Sequence, residues 1–346
     1  MDDRHLKSIS YRVLIGFAAF IVVVAGMRSA QAMIVPFLLA VFLSIICAPM
    51  LIWLQKKHLP VWLALIVVIL CVLGGGLIMA ALLGGALDGF SQAMPVYQEK
   101  LNQLTLRFVD WLAGMGISVS RQTFLEFLNP ASAMSLASGV LKGLGGVLTN
   151  AFLIILTVIF ILLEFSTFSS KLRKASGGRD LSFSQINTVL DNVKQYMGIK
   201  TMTSLLTGFI VAIGLSLLGV DFPVLWGFLA FLFNFIPNIG SIIAAVPAVL
   251  IGLLEMGVGS AIAVSILFLT VNMAIGSMLE PRLMGNKLGL SPLVVFVSLV
   301  FWGWVLGPVG MFLSVPLTIA VQIALSSSED SRWMAVLLGP GIQENE

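Results

Sequence analysis

Apolar runs long enough to cross a bilayer recur from one end of this chain to the other. A bilayer core needs about 20 apolar residues per spanning helix, and here such runs fall at 11–27, 32–54, 59–87, 148–165, 201–219 and 258–279. With 59% of its residues apolar and only 10% charged, the chain lacks the balance of a soluble globular domain. Because the runs fill the whole length, a soluble protein carrying one anchor is excluded as well. The expected fold is an all-α polytopic membrane protein with about six spanning helices. Two further broken runs, described below, bring the total to about eight membrane segments.

The N-terminus imitates a cleavable leader, with Arg4 and Lys7, an apolar stretch over 13–27 and then "SAQA" at 29–32. Arg28 stands before the apparent cleavage site and a longer apolar run follows at once, so retention as a first membrane helix is expected. Cys47 and Cys71 lie inside apolar runs with no metal or redox spacing and serve as small packing residues. His5 and His58 stand at run edges, not at ligand spacing. Gly76, Ala80 and Gly84, four apart, suit close approach of a neighbouring helix.

Two stretches are not oily. Between Asp88 and Lys142 the charges cancel, and Tyr97, Leu101, Leu104, Phe108 and Leu112 keep helical spacing, which predicts an amphipathic helical region. Between Ser166 and Lys200 the balance is basic, and Ile186, Val189, Leu190, Val193 and Met197 predict a second amphipathic helix leading into the next span. The chain thus divides into a three-helix segment (1–87), an extracytoplasmic helical region (88–143), a fourth helix (144–165), a basic loop (166–200), a transport core (201–325) and a tail (326–346). Basic flanks place the N-terminus, the "QKKH" turn at 55–58 and the 166–200 loop in the cytoplasm. The parity of crossings agrees.

The two broken runs carry the functional signal. Residues 222–254 are too many for one span and too few for two with a turn, and "PNIG" interrupts them; residues 291–325 are interrupted by "GPVG". Pro223 and Pro247 are 24 residues apart, as are Pro292 and Pro316, the mark of an internal repeat. Non-helical backbone at membrane depth is tolerated only where it is buried in protein or lines a wet cavity. Each run therefore predicts a re-entrant helical hairpin with its tip towards the midplane, the first approaching from outside and the second from the cytoplasm, as in transporters that use paired broken helices. A single tilted, kinked helix or two short ones would be the purely structural outcome. If the first break serves a cavity, replacing Pro237 and Gly240 by alanine should straighten the helix with stability unchanged or raised.

Candidate solute contacts are Asn234, Pro237, Asn238 and Gly240 at the first break, Gly307, Pro308 and Gly310 at the second, Asn272 inside a span and Gln322 in the second run. Asparagine both donates and accepts hydrogen bonds, which suits a neutral, hydroxyl-rich solute. For Asn272 and Gln322, hydrogen bonding between helices fits as well. Glu280, Pro281 and Arg282 form a triplet at a membrane boundary, where an ion pair or gate is possible, while Glu164 is an interfacial anchor. No G-x-x-x-x-G-K-[ST] motif occurs, so nucleotide-driven pumping has no support and transport would be secondary or facilitated. No metal, cofactor or nucleic-acid partner is implied. The partners expected are membrane lipids and a small-molecule solute.

"VLWGFLAF", "FNFIPNIGSIIAAVPAVL" and "LEPRLMGNKLGLSPLVVFVSLVFWGWVLGPVGMFLSVPL", with "IVPFLLAVFLSI" and "FILLE" earlier in the chain, resemble the autoinducer-2 exporter family of bacterial inner-membrane permeases. The resemblance implies a homopentamer, no enzymatic activity and export of a small signal molecule; some relatives resemble sodium/proton antiporters instead. It places the family's proline-asparagine-isoleucine-glycine motif on Pro237, Asn238, Ile239 and Gly240, its glutamate-proline-arginine motif on Glu280, Pro281 and Arg282, and its glycine-proline-x-glycine motif on Gly307, Pro308 and Gly310. An antiporter needs a carboxylate reachable from alternate sides, and Glu164, Glu255 and Glu280 all stand at run edges. A scaffold or lipid-interaction protein would account for the amphipathic segments but not for the repeated breaks.

Overall fold

The computed structural model describes residues 3–115, 150–175, 180–237, 239–284, 290–326, 329 and 331–339, with side-chain environments from residue 14 onward except for 165–190. The described elements are all helical: α1 (Asp3–Ser29), α2 (Gln31–Lys56), α3 (Val61–Gly114), α4 (Ala151–Ala175), α5 (Asp180–Leu217), α6 (Pro223–Phe233) and α7 (Gly240–Met256). After these come α8 (Val258–Val271), a π-helical segment (Asn272–Leu279) and α9 (Glu280–Met284) in one continuous rod, then α10 (Pro292–Phe312), α11 (Ser314–Ser326) and α12 (Arg332–Leu338).

Five of these segments are long and apolar enough to cross a membrane: Gln31–Lys56, Val61–Gly114, Asp191–Leu217, Val258–Met284 and Pro292–Phe312. Leu14–Ser29, Ala151–Glu164, Pro223–Phe233, Gly240–Met256 and Ser314–Ser326 are shorter apolar helices. Large apolar side chains stand open on the outside, Phe152 at 79% exposure among them. A surface of that kind suits a helical protein solvated by lipid and would be an aggregation liability in water.

Two packed bodies share α3. In the first, Ala40, Leu51, Ala64, Leu65, Val68 and Leu162 pack α2, α3 and α4 together. In the second, Val211 and Leu215 of α5, Leu225, Trp226 and Leu229 of α6, Ala244, Ala248 and Ile251 of α7 and Val264 of α8 form a continuous core, with Phe90, Tyr97 and Leu101 of α3 against it.

Helix α3 runs unbroken for 54 residues, about 80 Å at 1.5 Å per residue, so it extends far beyond a hydrocarbon core of roughly 30 Å. Its amphipathic half buries Tyr97, Leu101, Thr105 and Val109 at i, i+4 spacing, whereas Phe108, expected on that face, is 45% exposed. The face is set by contact with α6 and α7, which apolar spacing alone could not specify.

Candidate transport site

The first broken run is a closed hairpin. Helix α6 ends at Phe233, the chain turns over 234–237, and α7 returns from Gly240. The ends of the arms meet again at the base, where the Asp221 amide donates to Glu255 Oε2 at 3.1 Å. With 11 residues, α6 reaches only about 16 Å, half a hydrocarbon core. A Cβ added at Gly240 would run into the Phe233 carbonyl and stand 3.2 Å from Ile236 Cβ. The expectation that alanine at positions 237 and 240 preserves stability is therefore corrected. Gly240 is required by the close crossing of the two arms, whatever the helical propensity of its replacement.

The second run breaks at the expected place. Gly307 has φ 68° and ψ −155° inside α10, a backbone state open to glycine at little cost. A Cβ at Gly310 would collide with the Trp302 carbonyl, and Trp302 Nε1 donates to Thr318 Oγ1 of α11 at 3.0 Å. The internal repeat persists in three dimensions: Pro223 and Pro292 open α6 and α10, while Pro247 and Pro316 lie within α7 and α11. Proline at the first helical position loses no hydrogen bond. The α1–α2 corner abuts the second tip, with Gln31 Nε2 2.9 Å from where a Gly307 Cβ would lie and the Arg28 guanidinium 4.5 Å above the Trp304 ring.

The tips of the two hairpins converge. Phe235, in the first turn, meets Phe312, just past the second break, edge to face with ring centroids 6.4 Å apart. Beside them α5 presents a buried polar stripe of Lys200, Thr203, Ser204 and Thr207. Asn234, 8% exposed, donates from Nδ2 to Ser204 Oγ at 3.0 Å. Thr203 Oγ1 donates to the Lys200 carbonyl at 3.1 Å, while the buried hydroxyls of Thr201 and Thr207 make no hydrogen bond among the described residues. Helices α5 and α6 touch at backbone level beside this stripe, since a Cβ on Gly208 would stand 2.7 Å from the Gly227 carbonyl oxygen.

Of the residues singled out in the sequence, the structure brings Asn234, Pro237 and Gly240 together at one tip and Gly307, Pro308 and Gly310 at the other; Asn238 lies outside the described residues. Asn272 starts the π segment, with Oδ1 3.0 Å from where a Gly276 Cβ would be. Gln322 is away from the tips and donates to the Ala335 carbonyl of α12 at 3.3 Å. Glu280 pairs with Lys200, Nζ to Oε1 at 2.6 Å; Pro281 and Arg282 are exposed.

Sequence reasoning passed over Lys200 and the hydroxyls that follow it. Polar residues at i, i+3, i+4 and i+7 entering an apolar run were the signal that could have found them. Between α10 and α11 lies an open cleft of about 270 Å³, lined by Leu293, Val297 and Phe301 with only Ser298 and Thr318 as hydroxyls; its apolar walls suit a polar solute poorly.

Three motifs at two converging breaks and at one ion pair form a recognisable set, and a family model described as AI-2E family transporter matches residues 16–330. The chain belongs to the AI-2E transporter family. Within it, the chain is 37% identical to the AI-2 transport protein TqsA of Escherichia coli strain K12, over 94% of this chain and 95% of that one. It is 41% identical to a Haemophilus influenzae protein over 95% and 96% of the two chains. It is 36% identical to YhhT of E. coli strain K12 over 99% and 98%. The last two carry the name "Putative transport protein". The AI-2E relatives named here have transport names and none an enzymatic one.

Proposed function

We propose that this protein exports a small polar signal molecule such as autoinducer-2 across the bacterial inner membrane. It does so by secondary or facilitated alternating access, as a homopentamer, without chemical change to the solute. The observation that carries the reading is the meeting of both broken tips, Phe235 against Phe312, beside the buried hydroxyls of α5. Broken helices supply free backbone groups and helix-end dipoles to a solute; Asn234, Thr203, Ser204 and Thr207 add neutral donors and acceptors. The 37% identity to a protein named for AI-2 transport supports the choice of solute.

Cation/proton exchange draws less support. Glu280 is paired with Lys200, and the Tyr97 hydroxyl bridges Asp221 and Glu255, so each of these three carboxylates has a partner in this state.

The test is efflux of autoinducer-2 from proteoliposomes loaded with it, alongside a sodium-dependent proton-flux assay. We expect efflux without proton exchange. Asn234→Leu should lower efflux by about tenfold at equal protein level and unchanged oligomeric mass, in keeping with the roughly 1–3 kcal/mol cost of an unmet buried hydrogen bond. Vesicles that retain the signal molecule while exchanging sodium for protons would establish the antiporter instead.

A further inference from the structure

We infer that Lys200 and Glu280 are the gate at one end of a polar seam between α5 and α8, and that the π segment is the element that releases it. The inference rests on the transport reading and names the part that must move.

The seam follows from helix geometry. At about 100° per residue, Lys200, Thr207 and Gly214 fall within about 40° of one another on α5. Lys200 reaches Glu280, and a Cβ at Gly214 would stand 2.6 Å from Leu267 Cδ2 of α8. The two helices are therefore antiparallel with these contacts at either end, and Thr207 lies midway, opposite the start of the π segment. Its hydroxyl is buried and makes no hydrogen bond among the described residues. A buried polar group left unmatched between packed helices is costly, so its place calls for a partner that comes and goes.

The closed end is an ion pair with side chains only 5% and 14% exposed. A buried ion pair is weak support for stability, because desolvating both charges offsets their attraction, and an ionisable group in a membrane helix points to function with its partner. Glu280 directly follows the π turns at Asn272–Leu279, and Pro281 lacks the amide that would continue an ordinary ladder at the next residue. A π turn holds one residue more than an α turn. Its conversion to α turns Glu280 by about 100° about the helix axis, away from Lys200, and unseals the seam beside Thr207. Lys200 is thus a positioning residue for the gate rather than a packing charge.

The test needs no knowledge of the solute. In protein lacking native thiols (Cys47→Ala, Cys71→Ala), Thr207→Cys is treated with a membrane-impermeant methanethiosulfonate from either side of solute-free proteoliposomes. We expect slow labelling with the ion pair intact, at least tenfold faster labelling with Glu280→Gln, and slow labelling again when the charges are exchanged (Lys200→Glu with Glu280→Lys). Leu215→Cys, buried on α5 against the first hairpin, reports general loosening. Equal rates at position 207 in all three proteins, or acceleration at position 215 as well, overturn the gate. Absence of autoinducer-2 efflux would refute the transport reading and leave these labelling rates unaffected.

Discussion

A single phenol closes the base of the first hairpin. The Tyr97 hydroxyl stands 2.8 Å from Asp221 Oδ2 and 2.6 Å from Glu255 Oε1, and it has one proton to donate. Around it, Trp226 Nε1 donates to the Asp221 carbonyl at 2.9 Å, and Phe222, at φ 58°, lays its ring edge-on against Phe90. Positive φ is a true outlier for so bulky a residue, and these contacts hold it there. Tyr97→Phe keeps the ring but leaves two carboxyls facing each other without their shared donor. We expect a loss of about 1–3 kcal/mol, seen as a lower midpoint for heat-induced unfolding in detergent. A midpoint equal to the parent's would remove the hydroxyl from the clasp. Helical spacing made Tyr97 legible in the sequence as a buried position, but not its hydroxyl, whose partners lie 124 and 158 residues away. Asn234 was legible because a helix break drew attention to it. Ser204, its partner, was not, since a lone serine in an apolar helix has many bland explanations. Lys200 was not legible, because most lysines at the edge of an apolar run are solvated.

At the scale of elements, the breaks were readable because proline and glycine interrupt a helix whatever surrounds them. The reason for the glycines was not readable, since it lies in another arm's backbone. Gly240 faces the Phe233 carbonyl and Gly310 the Trp302 carbonyl, so the repeat conserves a crossing as well as a kink. Gly240→Ala and Gly310→Ala should each cost at least the roughly 1–3 kcal/mol of an overpacked core. Pro237→Ala, at a half-buried position in the turn, should cost less. The fraction of each variant that remains soluble and monodisperse after graded heating in detergent ranks them. If Gly240→Ala survives as well as Pro237→Ala, the arms have room to separate and the crossing is no constraint. The same contacts explain why propensity misled at this point. Alanine favours a helix by about 1 kcal/mol over glycine, but only where its methyl group has somewhere to go.

For the whole molecule, the side from which each hairpin approaches decides whether convergence of the tips makes a passage. The first hairpin has its base at Asp221 and Glu255, next to the turn into α8. The second has its base where the Ser291 amide donates to the Leu338 carbonyl at 3.2 Å, bringing α12 to the start of α10. Since α8 and its π extension separate the two bases by one membrane-length rod, Val258–Met284, bases on opposite faces with tips touching between them is the arrangement that geometry favours. The sign expected from the basic flanks puts the second base on the cytoplasmic side, and that is the prediction. Composition made an all-helical, apolar architecture legible; whether a short segment spans or turns back depends on what its tip meets, and Phe312 and Phe235 are 77 positions apart in the chain. The prediction uses single cysteines in thiol-free protein, treated in intact spheroplasts with an impermeant maleimide. Val258→Cys, exposed at the start of α8, should be labelled from outside. Lys57→Cys, in the turn between α2 and α3, and Glu329→Cys, exposed between α11 and α12, should react only after the membrane is permeabilised. Outside labelling at 329 with protection at 57 would mean that the second hairpin crosses the bilayer completely, and the two tips could not then close a path from opposite sides.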